Sequence, residues 1–553
     1  MSGKVFLLGI TTFLLHAQTE PSSALHEVIS KIAQQEEKLL ARLQEYRPLA
    51  ETYIQVMAPS GEDQLAVKED HYFLGKVNLG KGVDLVSFAE TAKESRGWFS
   101  SLFSRDFRFL PRGFAQMALI DNAGIDRSRF DFAYVRREFL GEVRCLVFDI
   151  SPRKNVGAGR FKGRIWVEDQ GFNVVRFSGT YTLKNKSPEY FHFNSWRVQT
   201  ESGLWLPALV YVEELDRESP VANKLMFKAK VNIWGYQPQR SDRTDEFTAI
   251  MVEAAQANDA SAPPPSVDGV QGWQRQAEVN IIERMEKAGL LSPPGEVEKV
   301  LETVVNNLLV TNNLPDPGIK CRVMLTTPLE SFAVNNTIVL SRGLVDVLPD
   351  EASLALILSR ELAHVVLGHP LDTKYAFNDR IMIEDHEILK RFQFKREPKQ
   401  LEEADAKSLE LLRNSPYKDK LAGPGLFLRA VFLLSRQMPQ LFQPQLGNRV
   451  PQSDGLARFQ PVSDAAPVLL PDDLEQIAAL RLGSRIILDP WDNRIQLNKT
   501  PAPKFASPRE KMPFEVAPLM LPLSRRADAG APSSTSQPDP ARSNAPAEPA
   551  LRK

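Results

Sequence analysis

Glu351-Ala-Ser-Leu-Ala-Leu-Ile-Leu-Ser-Arg360-Glu361-Leu-Ala-His364-Val-Val-Leu-Gly-His369 is an apolar run with charged residues and histidines set inside it. It reads as a buried helix. The window Arg360-Glu361-Leu362-Ala363-His364 differs by one residue from H-E-x-x-H, in which two His one turn apart hold a zinc ion and the intervening Glu activates a zinc-bound water. Glu361 and His364 stand at the base and second-ligand positions. Arg360 stands at the first-ligand position, and a guanidinium carries a permanent charge and offers a metal no lone pair.

The surroundings extend the pattern. Ser331-Phe332-Ala333-Val334, the run Asn336 to Leu344, the polar Pro349-Asp350-Glu351, the helix and Glu403-Ala404-Asp405 together resemble the zinc metallopeptidases that include HtpX, BepA and the CAAX prenyl proteases. The resemblance covers about residues 296–430. It implies a strand pair before the helix and a third zinc ligand on a later helix, four residues before the Asp of its Ala-Asp pair. Four before Asp405 is Leu401, so 360 and 401 are degenerate positions while Glu361, His364 and Asp405 match. Glu402 lies one residue off, a rotation of about 100° on a helix, and is a weak candidate ligand. His364 and His369 are five apart and do not share a helical face, so His369 reads as a supporting polar partner at the helix end. A Glu in so apolar a helix needs a partner, either Arg360 or a distant base. Arg360 itself is expected to replace the missing cation, with Glu361, Glu402, Glu403 and Asp405 as candidate partners, or else to reach solvent along its stem.

At 553 residues the chain suggests more than one folded unit. Its 68 basic and 69 acidic residues give no basic field, so nucleic acid is not an expected partner. Lys4 and the apolar run Val5 to Leu15, followed by His16-Ala17-Gln18, read as a signal peptide over 1–17, with an uncleaved anchor as the lesser alternative. No later stretch reads as membrane-spanning. Cys145 and Cys321 fall in different expected domains, so no disulfide framework is expected.

An amphipathic helix is expected over 24–47, from Leu25, Val28, Ile29, Ile32, Leu39, Leu40 and Leu43 at helical spacing. From 52 to 245 the period is two, clearest in Leu225-x-Phe227-x-Ala229-x-Val231-x-Ile233, with turns such as Asp169-Gln170-Gly171 between runs, giving an antiparallel sheet. The stretch 159–168 with 172–179 is similar to the lipoprotein-sorting (LolA-like) domains, which implies a curved sheet wrapped as an incomplete barrel around an apolar interior. Aromatic residues including Trp166, Phe193, Trp196, Trp205 and Trp234 would suit an acyl-chain pocket but are first expected as core. The cluster 95–104 reads as a mobile or membrane-touching loop. Linker composition marks 246–271, the peptidase-like unit is expected at 272–440, an extension with a short helix at 472–482 and a hairpin around 489–493 fills 441–523, and the tail 524–553 has a disordered composition.

The expected fold is therefore α+β in two domains: an antiparallel curved sheet, then a mainly α, zincin-like metallopeptidase domain. The expected function is a secreted or periplasmic homologue of the metallopeptidases with a degenerate site, acting as a non-catalytic binding or envelope quality-control protein. No cofactor is expected. The alternatives are an active zinc metalloendopeptidase with Glu361 as base and zinc on His364, and a lipid or lipoprotein carrier. Expected partners are an envelope protein or lipoprotein, with an acyl chain in the β-domain.

Overall fold

The computed structural model describes residues 21–525 apart from 61–64, 81–82, 89–108, 155, 183–190, 201–202, 216–224, 237–266, 372–384, 393, 444–445, 448–458, 484, 499–503 and 519–522. The expected signal peptide 1–17, the loop 95–104, most of the linker 246–271 and nearly all of the tail 524–553 lie outside the described residues. Among the described residues, no helix is long and apolar enough to cross a membrane.

Ten strands form one antiparallel sheet: β1 Leu49–Pro59, β2 Leu65–Asn78, β3 Asp84–Ser87, β4 Phe130–Leu140, β5 Val143–Pro152, β6 Phe161–Glu168, β7 Val174–Tyr181, β8 Phe193–Gln199, β9 Trp205–Glu214 and β10 Met226–Trp234. Their spatial order is β3-β2-β1-β10-β9-β8-β7-β6-β5-β4. The chain meanders from β4 to β10, then closes β10 on β1, and β3 and β4 remain as edges, so the sheet is not a closed barrel.

The period-two pattern gives each face a different fate. One face carries Ala50, Ile54, Phe148, Ile165, Phe177, Phe193, Val210, Phe227, Ala229 and Val231, and its core takes in Ile32, Leu39 and Leu43 of α1 (Pro21–Leu43) and Phe114 of α2 (Pro111–Gln116). The helix therefore caps the sheet, fixed by a buried pair between Arg197 and Glu36, with Nη2 to Oε2 at 3.0 Å. The other face carries Leu49, Tyr53, Tyr72, Leu74 and Trp234, which share a core with the C-terminal half. The aromatics expected around one pocket are thus split: Phe193 faces α1, Trp166, Trp196 and Trp205 form a separate cluster, and Trp234 lies in the shared core.

The C-terminal half is mainly helical. It comprises α3 (Val267–Lys287), α4 (Glu296–Thr311), strands β11 (Lys320–Met324), β12 (Ser331–Val334) and β13 (Thr337–Ser341), α5 (Arg342–Val347), α6 (Glu351–Val366), α7 (Ile388–Arg391), α8 (Pro398–Arg413) and α9 (Ala422–Leu434). Short helices α10 (Pro439–Phe442), α11 (Gln460–Asp464) and α12 (Pro508–Lys511) and the hairpin β14 (Ile486–Leu488) with β15 (Ile495–Leu497) complete it. The expected helix at 472–482 is instead irregular. Its backbone donors serve neighbours, Leu480 N–H to the Val347 carbonyl at 2.8 Å and Leu482 N–H to the Glu515 carbonyl at 3.0 Å, which a helix would have kept for itself. Both cysteines are buried and free.

The two halves meet around Glu51 of β1, which is fully buried. Its carboxylate accepts from Arg342 Nη2 at 2.6 Å, Thr327 Oγ1 at 2.7 Å, Thr327 N–H at 2.5 Å, Tyr72 OH at 3.1 Å and Asn232 Nδ2 at 3.1 Å. Trp234 donates its indole N–H to the Gly289 carbonyl at 2.8 Å. Gly289 has φ +78°, a left-handed conformation that glycine adopts without a Cβ clash.

Candidate functional site: a peptidase-type helix with an arginine in it

Asp350 opens α6 by accepting from Ser353 N–H at 2.7 Å, an N-cap that begins the helix at its first apolar turn. Residues 355–364 of α6 are buried without a break. α8 packs across it, stitched by Ser359 Oγ and Ser408 Oγ at 2.6 Å. β12 runs antiparallel to β13 beside the helix, so the strand pair and helix lie as the motif reading expects.

Within that packing Arg360 reaches Asp405. Its Nε lies 2.7 Å from Asp405 Oδ1, with the side chains 6% and 1% exposed. The guanidinium therefore stays inside, and does not follow its stem to solvent. Leu401 is half-buried on α8, while Glu402 and Glu403 are exposed.

Glu361 takes a different partner. Its Oε1 accepts from Ser331 Oγ at 2.7 Å, and its Oε2, though buried, has no hydrogen-bond partner among the described residues. Burial pushes the carboxyl above its ordinary range, against the opposite pull of Arg360, Ser331 and Arg396. His364 Nδ1 meets His369 Nδ1 at 2.8 Å, and His369 Nε2 meets Glu403 Oε2 at 3.2 Å. A carboxylate only accepts, so His369 donates from Nε2, and a ring that carries its proton there has Nδ1 open to accept from His364. That chain assigns the proton of His364 to Nδ1 and leaves Nε2 as a lone pair. His364 Nε2 is buried and has no partner among the described residues. Burial, reinforced by Arg396 and Arg360, pushes the His364 pKa down to about 2.

Arg396 was not singled out in the sequence. It donates Nη1 to the His369 carbonyl at 3.0 Å and the Pro370 carbonyl at 2.5 Å, and Nη2 to the Ala333 carbonyl at 2.9 Å, tying the helix end to β12. Nothing local marks it, because these three acceptors are backbone carbonyls.

The donor set can be tested against zinc, which takes three protein ligands plus water in a catalytic site. His364 supplies one donor, Nε2. Arg360 supplies a cation, Leu401 a methyl group, and Glu402 sits on the exposed side of α8. Among the described residues no group of three or more His, Cys, Asp or Glu side chains is placed to hold a metal. The residues present do not fit the ion.

Residues 296–383 match the profile of peptidase family M48. The M48 segment thus spans α4 through the candidate helix and ends before Leu401 and Asp405. The N-terminal part has solved structural neighbours. One is a domain described as an outer membrane lipoprotein-sorting protein domain from Vibrio parahaemolyticus, 10% identical, covering 41% of this chain and 99% of that one, with a TM-score of 0.22. Another is a DUF1329 family protein from Desulfovibrio piger, 11% identical, covering 40% of this chain and 98% of that one, with a TM-score of 0.21. No curated protein matches the chain.

Proposed function

We propose that the C-terminal half, which contains the M48-matching segment 296–383, is a metal-independent, non-catalytic binding module, in which a buried arginine–aspartate pair has replaced the metal of a peptidase. The observation that carries the reading is the 2.7 Å contact between Arg360 Nε and Asp405 Oδ1 at the first-ligand position of the helix. An ion and a guanidinium would compete for the same space and the same carboxylates. Glu361, the base of the family motif, retains Ser331 as a partner but has no second metal ligand at 360 to pair with His364. Zinc polarises a scissile carbonyl and lowers the pKa of a bound water in a metallopeptidase; without a site to hold it, that chemistry has no place here.

The chain is further proposed to work in the periplasm or outside the cell, with an envelope protein or lipoprotein as partner, on the reading of residues 1–17 as a signal peptide. Assay of the full chain on unfolded protein substrates, with and without a chelator, tests the non-catalytic reading. No chelator-sensitive cleavage is expected. Cleavage lost both with the chelator and in Glu361→Gln would establish an active metalloendopeptidase instead.

A further inference from the structure

The last described segments run from the C-terminal half to the β4–β9 part of the sheet, on the face that also carries Tyr211 and Trp234. Phe514 and Val516 lie in the shared core, held by Gln55, whose Nε2 donates to the Phe514 carbonyl at 2.9 Å and whose Oε1 accepts from Val516 N–H at 2.8 Å. Leu523 then reappears 1% exposed in a separate cluster with Leu140, Val143, Cys145, Trp166, Trp196 and Trp205. The Leu523 carbonyl accepts from Glu142 N–H at 2.9 Å, at the β4–β5 turn. Two residues on, Arg525 Nη2 lies 2.8 Å from Glu168 Oε2 and 3.5 Å from Asp169 Oδ1.

The receiving surface is built without the segment. Glu168 is buried, and its carboxylate also accepts from Gln170 N–H at 3.0 Å, Asn173 N–H at 3.1 Å and Asn173 Nδ2 at 2.8 Å, so the β6–β7 turn alone orients it. The apolar floor is likewise fixed from within the sheet: the Arg176 guanidinium stacks between Trp166 at 4.3 Å and Trp196 at 4.4 Å from the ring centroids. What the segment adds is one leucine side chain, one carbonyl and one guanidinium. Beneath the segment the surface thus presents an apolar patch, the Glu142 N–H and the carboxylates of Glu168 and Asp169, the latter shared with Arg144, spaced for Leu-x-Arg.

We propose that this β4–β9 region of the sheet is a peptide-docking site for a Leu-x-Arg segment, occupied in cis by Leu523-Ser524-Arg525, for which a partner protein carrying the same pattern competes. The tether gives the resident segment a high effective concentration, so a free peptide meets a closed site in the unaltered chain and an open one once the resident side chains are removed. The proposal is independent of the reading of the M48 site.

The test is a calorimetric titration of the full chain with a synthetic peptide of residues 521–527, Leu-Pro-Leu-Ser-Arg-Arg-Ala. Leu523→Ser with Arg525→Ser should bind it at least about tenfold more tightly than the unaltered chain, the gain expected from removing a tethered competitor. Peptides with the second Leu changed to Ala, or the first Arg changed to Glu, should lose that binding. Equal affinity for the altered and unaltered chains, or no binding by an altered chain whose circular dichroism is native, would overturn the proposal. Should the double change unfold the chain, the same titration on Arg525→Ser alone decides between the same two results.

Discussion

Arg360 is the residue on which the candidate site turns. Its partner Asp405 is 1% exposed, so removing the guanidinium takes a 2.7 Å ion pair from a buried carboxylate. Arg360→Met should lower the unfolding free energy by about 3–5 kcal/mol, the usual consequence of breaking a buried pair, whereas a surface pair would cost less than about 1 kcal/mol. Chemical denaturation measures the difference. The double change Arg360→His with Leu401→Glu should regain stability only when zinc is added, since it adds two metal donors to the one that His364 Nε2 offers. His364 also sets a pH dependence. Its pKa is pushed from 6.5 down to about 2 in the folded chain, so below about pH 6.5 the unfolded chain takes up a proton that the folded one does not. Stability should fall by about 1.4 kcal/mol per pH unit on acidification from this group, and be fully retained above about pH 7. Melting curves between pH 7.5 and 5.5 should show this slope reduced in His364→Asn.

Among elements, α1 depends on one pair. Glu36 and Arg197 are 5% and 1% exposed, and Arg197 also donates to the Val174 carbonyl at 3.1 Å. Glu36→Leu leaves a buried guanidinium without its carboxylate, and a loss of about 3–5 kcal/mol in denaturant unfolding is expected. The helix itself is plain in the sequence, because its apolar residues recur on one face. The motif helix is legible too, since its apolar content, N-cap Asp350 and interior charges are all local. What is not legible depends on partners distant in sequence. Residues 472–482 have helical spacing, but their N–H groups bond to Val347 and Glu515. Asp405 could be named only as one of four candidates for Arg360, and Arg396 not at all, because carbonyl acceptors leave no residue signature.

For the whole molecule, the linker composition of 246–271 suggests two units, and the described residues of both halves share one core. In the sequence Glu51 is one polar residue in an alternating strand, indistinguishable from a solvent-facing one; only its burial against Arg342 and Thr327 reveals its role. Glu51→Ala leaves Arg342 buried without its carboxylate and should split a single calorimetric transition into two, or lower it by several degrees. The segment 21–236 expressed alone would expose the Tyr53, Tyr72, Leu74 and Trp234 face, and analytical ultracentrifugation should find it associated. The metal question is the most direct test of the central claim, because the same helix in the same half either holds an ion or holds Arg360 in its place. Zinc bound per chain, measured by elemental analysis of the full chain purified without chelator and then equilibrated with zinc, should stay far below one equivalent and should not change in His364→Ala; about one zinc per chain, lost in His364→Ala, would contradict the replacement of the metal by Arg360.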